Sequence, residues 1–139
     1  MINSVTTTSQ TVAINSNVLF PTDRVRTRSC RCACRGWLTH DLGSGLFTLT
    51  KGGIYQVMYN ANVTGTVVGT AILDLKVNGE AIGGSRSIYT IATANALGNM
   101  SATSLIQVPC NGSLTLSLAN DSTIPLIIQD ANIIVKKIA

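Results

Sequence analysis

Polar and apolar residues alternate with a period of two through most of this chain, and almost nothing recurs at the helical period. Ala71, Leu73, Leu75 and Val77 alternate with Ile72, Asp74 and Lys76, then meet Asn78-Gly79, the dipeptide that best tolerates the positive φ angles of a type I′ hairpin turn. Leu114, Leu116 and Leu118 alternate with Ser and Thr, as a strand with one buried and one wet face should. The same logic predicts strands over residues 11–14, 46–50, 54–63, 85–91, 100–108, 113–118 and 131–138. Gly52-Gly53, Gly83-Gly84 and Pro109-Cys110-Asn111-Gly112 punctuate them. About eight short strands in a chain of this length point to an all-β, two-sheet antiparallel sandwich, jelly roll or closed barrel. Residues 1–10 are rich in Thr and Ser without an apolar pattern, so they are expected to form a flexible N-terminal arm, with 11–139 as a single domain.

Composition adds a constraint on the surface. The 139 residues are 45% hydrophobic but only 12% charged and 4% aromatic, enough to bury a core yet thin in charge for solubility. Some apolar surface is therefore expected to be covered by partners. No run approaches the roughly 18 consecutive apolar residues of a membrane-spanning helix, and membrane insertion is not expected. The segment Met1 to Thr8 lacks the basic and apolar regions of a secretory signal, which implies synthesis in a cytoplasm without a signal peptide. The net charge of +4 is local: Arg24, Arg26, Arg28, Arg31 and Arg35 are five of ten basic residues, and the other five against six acidic ones leave −1.

The stretch from Ser44 to Val57, with Leu46-Phe47-Thr48-Leu49 before Gly52-Gly53 and Ile54-Tyr55-Gln56-Val57 after it, resembles the signature of the complement globular-head and tumour necrosis factor superfamily of jelly-roll trimers. Leu73 to Val77 ending in Asn78-Gly79-Glu80 is similar to that family's strand and Asn-Gly-Glu turn. Ala102 to Val108 before Cys110-Asn111-Gly112, and the closing Asp130 to Val135, occupy the places of two further family strands. The resemblance runs from about residue 11 to the end. It implies a homotrimer in which the inner sheet of each subunit packs against two neighbours around a threefold axis, with Tyr55, Val57 and Tyr59 at or next to the subunit contact. The family's aromatic richness is thin here, and there is no collagen-like stalk, so receptor and complement roles are not carried over.

Between Pro21 and Trp37 the chain leaves the family pattern. Read as extended strand, Arg24, Arg26, Arg28, Cys30, Cys32 and Cys34 fall on one face. Arg24, Arg26, Arg28, Arg31 and Arg35 form a candidate basic patch for docking an acidic partner; the alternative is a charged edge that discourages strand-to-strand aggregation. Cys30, Cys32, Cys34 and Cys110 are candidates for interchain disulfides or free thiols. Thiolates two apart on a strand lie roughly 6 to 7 Å apart, too far for one tetrahedral zinc; only a threefold axis, repeating one Cys or His40, would build a metal site. The basic cluster lacks interleaved stacking aromatics, which argues against nucleic acid.

One His and six scattered carboxylates offer little for acid–base catalysis, and no nucleophile-elbow, zincin or phosphate-loop motif occurs. No catalytic residue and no cofactor are expected. The sequence leads to the expectation of a structural trimeric protein on the surface of a phage virion (a capsid decoration, head fibre or fibre tip) with other particle-surface proteins as partners and adhesion to a host surface as an added role. Alternatives are a spore-surface protein, or a module that binds carbohydrate or another small ligand in a groove between subunits, with Trp37, Tyr89 and residues 95–99 as candidates.

Overall fold

A computed structural model describes residues 1–27 and 36–139. In chain order its strands are β1 (Ile2–Thr6), β2 (Gln10–Val12), β3 (Thr22–Arg26), β4 (Leu38–His40), β5 (Phe47–Leu49), β6 (Gly53–Thr64), β7 (Gly69–Val77), β8 (Glu80–Ala81), β9 (Ser87–Ile91), β10 (Gly98–Val108), β11 (Leu114–Asn120) and β12 (Leu126–Lys137). They form two six-stranded sheets whose pairings are all antiparallel. The first runs β10-β6-β12-β1-β3, with β2 also on β12; the second runs β4-β5-β11-β7-β8, with β9 on β7. The expected jelly-roll sandwich is thus the observed fold.

The core lies between the sheets and is supplied by alternate residues. On β6, Tyr55, Val57, Tyr59, Ala61 and Val63 face inward; β12 adds Leu126, Ile128, Ala131, Ile133 and Val135; β7 and β11 answer with Leu73, Leu75, Leu116 and Leu118. The change of parity within β12 comes from a bulge between Ile128 and Asp130, which shifts register against β6. Phe20 and Phe47 meet edge to face, with centroids 5.8 Å apart. The Asn78-Gly79 turn joins β7 to β8 as expected, with φ of 52° and 87°. Tyr89 lies across Gly98, where a Cβ would collide with its ring.

Two expectations need correction. Residues 2–6 are not a free arm: β1 sits between β12 and β3, pairing Ile2–Thr6 with Val135–Ala131 on one side and with β3 on the other. Its pattern was hidden because the core-facing positions are Ile2, Ser4 and Thr6, two of them polar; Ser4 and Thr6 are nevertheless buried. Tyr55, Val57 and Tyr59 are not placed for contact with another subunit. Each is almost wholly enclosed within one chain. Their alternation identified one face of the strand correctly, but that face is the one turned to the second sheet.

Deleting residues 1–7 therefore removes a central strand and leaves β12 and β3 with unpaired backbone groups. The truncated chain is expected to lose cooperative thermal unfolding, measured by circular dichroism; an unchanged melting temperature would restore the arm.

Candidate assembly surface

The outward face of the first sheet is built by the residues that alternate with its core set. Register places Thr103, Met58, Ile134, Asn3 and Val25 in one row across five strands. The next row on one side holds Ser101, Asn60, Asn132, Val5 and Thr22, followed by Asn99, Asn62 and Asp130. On the other side lie Leu105, Gln56 and Lys136, then Gln107 and Ile54. Leu105 is 62% exposed, Val25 41% and Ile54 38%, while Met58 and Ile134 are half-buried. The face thus has an apolar stripe, an asparagine-rich end and little charge.

That end is a concavity of about 240 Å³, which Asn3, Arg24, Asn60, Asn62, Asp130 and Asn132 help to line. Asn60 and Asn99 exchange amide hydrogen bonds: Asn99 Nδ2 donates to Asn60 Oδ1 at 3.0 Å, and Asn60 Nδ2 donates to Asn99 Oδ1 at 3.3 Å. Asn99 Nδ2 also donates to Asn62 Oδ1 at 2.9 Å. Asn3 Oδ1 is shielded from solvent yet receives no hydrogen bond.

Arg24 and Arg26 do not share one face. A register shift between Asn3 and Ser4 inserts a residue into β3, so Asp23 and Arg26 pair with the core-facing Ser4 and Ile2 whereas Arg24 joins the outward concavity. Arg26 instead reaches Asp23 at 3.5 Å. Arg28, Arg31, Arg35, Cys30, Cys32 and Cys34 lie outside the described residues. Cys110 is an exposed free thiol in the turn between β10 and β11.

His40 is enclosed between the sheets and stacks on Phe47 at 4.2 Å, so its side chain is not presented to a threefold axis. His40 Nδ1 lies 2.8 Å from Asp23 Oδ1, Ser4 Oγ donates to the same carboxylate oxygen at 2.5 Å, and His40 Nε2 faces the Ser44 carbonyl at 3.0 Å. In a Ser-His-Asp hydrolase the serine and aspartate engage opposite ring nitrogens and the serine is open to substrate. Here both lie on the Nδ1 side, Nε2 is occupied, and Ser4 is fully buried. The chemistry available to this trio is structural: it ties β1 and β3 to β4.

The second sheet carries its charges on the outside. Arg86 clasps the buried Asp74 carboxylate, with Nε at 3.2 and 3.0 Å from its two oxygens and Nη2 at 2.6 Å from Oδ2, and also donates to Asp121 at 2.6 Å. Lys76 donates to Asp121 at 3.3 Å. These hydrogen bonds to Asp74, and its charge, raise the Arg86 guanidinium above its usual value. Burial pushes the Asp121 carboxyl up, but hydrogen bonds from its neighbours and the charges of Lys76 and Arg86 outweigh it and hold the group below the ordinary carboxylate range. Tyr59 donates to the Leu73 and Ser85 carbonyls, and burial, with the Asp74 charge nearby, drives its hydroxyl well above the normal tyrosine range.

Within one chain the carbohydrate-binding candidates Trp37 and Tyr89 do not come together. Trp37 packs on Tyr55 with centroids 5.6 Å apart, beside the end of the second sheet where Leu38 pairs with Leu49 and Leu49 with Leu114. Tyr89 pairs with Ala71 at the opposite end of β7 from Val77, which neighbours Leu116. Six residues of strand separate the two ends, roughly 20 Å. Sequence reasoning also missed Asn3 and Val5, because nothing in residues 1–10 marked a strand.

Replacing Asp23 by Ala strands the buried donors of Ser4 and His40 and should lower unfolding free energy by about 2 to 4 kcal/mol in urea titrations; a serine-directed phosphonate should leave Ser4 unlabelled. Asp121 has a depressed folded-state pKa, so its stabilisation is complete above the unfolded value of about 3.9 and is lost as pH falls through the folded value. Wild-type protein should therefore lose more stability between neutral pH and about pH 3 than a Lys76→Ala/Arg86→Ala variant, as read from urea midpoints at each pH.

No family model matches the chain, and no curated protein matches it in sequence. Solved structures do match. The globular domain of zebrafish complement 1qA protein superposes with a TM-score of 0.72 at 12% identity, covering 99% of this chain and 96% of that one. The Eiger TNF of S. frugiperda gives 0.69 at 11% identity, covering 99% and 92%. PRD1 vertex protein P5 gives 0.53 at 19% identity, covering 99% and 96%. At these identities the likeness is one of fold, and it agrees with the two-sheet strand order described above: this chain has the jelly-roll fold of the complement globular-head and tumour necrosis factor superfamily.

Proposed function

We propose that this chain is a non-enzymatic structural protein that assembles as a homotrimer on the surface of a virion, as a capsid decoration, head fibre or fibre tip. The observation that carries the reading is the outward face of the first sheet. Met58, Ile134, Val25, Leu105 and Ile54 present apolar surface on a face whose charged side chains, Arg24, Asp130 and Lys136, lie in other rows than Met58 and Ile134. Water penalises such surface by about 25 cal/mol per Å², and contiguous exposed patches on soluble proteins are commonly contact sites. Cyclic association of identical copies through this face covers the stripe and closes on itself, which leaves no exposed patch to seed fibres.

The choice of particle rests on fold. The likeness to PRD1 vertex protein P5 spans nearly the whole of both chains, which supports a place on a virion for a domain of this build. The grouping of Ser4, Asp23 and His40 is arranged to hold strands together, which supports a structural over a catalytic role.

Light scattering on the purified protein should give three times the chain mass of 14.6 kDa. A monomeric mass at micromolar concentration would sink the reading. Met58→Asp, which places a carboxylate in the centre of the stripe, should yield the single-chain mass while leaving the far-ultraviolet circular dichroism unchanged. Mass spectrometry of purified particles should detect the chain, and particles complete without it would remove the virion assignment.

A further inference from the structure

The apolar stripe explains attraction but not geometry, since burial of apolar surface is non-directional. Met, Ile, Val and Leu side chains from four strands can slide by a strand spacing or admit a different number of copies at little cost. The asparagine-rich end of the same face is different in kind.

We propose, resting on the reading of this face as a contact between copies, that the concavity lined by Asn3, Arg24, Asn60, Asn62, Asp130 and Asn132 is a registration site that meets the equivalent sites of the neighbouring copies around the axis of the trimer. Three observations converge on it. Each asparagine amide carries two donors and a carbonyl acceptor, and the Asn60–Asn99–Asn62 bonds use only part of that capacity. Asn3 Oδ1 is shielded within the isolated chain and has no donor; the side chain as a whole is half-exposed, so rotation of its amide brings the oxygen to a neighbour. Among the described residues, neither Arg24 nor Asp130 takes part in an ion pair, although both line the one concavity.

This set is self-complementary. Amides can pair with amides, and Arg24 of one copy can meet Asp130 of the next, so a second copy satisfies groups that an apolar partner would leave stranded. Misaligned copies would bury the same amides against Met58 and Ile134 without partners. A polar layer beside an apolar contact thus selects one register and one copy number at some expense of affinity, as a single buried asparagine does in coiled coils.

The test is an Asn60→Leu/Asn132→Leu variant of the whole chain, at two strand positions that are not part of the core. Native mass spectrometry and sedimentation should show several assembly masses where wild type shows one, and dissociation should require at least about tenfold greater dilution. If the variant keeps the single wild-type mass and dissociates at the wild-type concentration, the registration site is overturned while the homotrimer stands. A monomeric wild type overturns both. Should the leucine variant misfold, charge reversal decides: Arg24→Asp alone should weaken assembly and Arg24→Asp/Asp130→Arg should restore it, and failure of the double variant to recover sinks the proposal.

Discussion

The pairing of β6 with β12 is the constraint on which the rest of the molecule depends. Both strands are 12 residues long and lie side by side in the first sheet, flanked by β10 and by β1. A slip of one residue would exchange every inward side chain for an outward one. Tyr55, Val57 and Tyr59 would leave the core and Gln56, Met58 and Asn60 would enter it. The bulge between Ile128 and Asp130 shows how closely this parity is kept. Strict alternation from Leu126 and Ile128 would carry Asp130 into the interior; the extra residue resets the phase so that Ala131, Ile133 and Val135 point inward and the carboxylate stays outside.

Much of this was legible because alternation and turn chemistry are local. Asn78-Gly79 announced its hairpin, and residues 54–63 and 100–108 announced two long strands, because apolar residues recur at alternate positions between turn signals. What alternation does not encode is which face meets which neighbour. On β6 both faces carry large apolar side chains, so the outward Ile54 and Met58 and the inward tyrosines read alike in one dimension. The aromatics drew the expected subunit contact to the face of the strand that is turned to the core.

The other failures have the same physical root, which is satisfaction of polar groups at long range. Strand β1 is invisible as a periodic segment because Ser4 and Thr6 occupy core positions. Ser4 is tolerated there only through Asp23, a residue distant in sequence, and through His40 beyond it. The β3 bulge that parts Arg24 from Arg26 is likewise a property of pairing with β1, not of the arginine run itself. His40 entered as a residue that a threefold axis could repeat into a metal site because its partners, Asp23 and the Ser44 carbonyl, cannot be inferred from its place in the sequence.

The central position of the last strand also dictates how the chain acquires its shape during synthesis. β12 supplies the partner for β1, β2 and β6 at once, so the first sheet has no middle until β12 itself has been made. Until then β6 and β1 expose backbone edges and one apolar face each. Folding of this sheet therefore waits for β12, and because its contacts join distant parts of the chain it belongs to the slower topologies. Nascent chains on one message wait in this open state beside identical copies, and crowding during heavy expression becomes the stage at which mispairing is most dangerous.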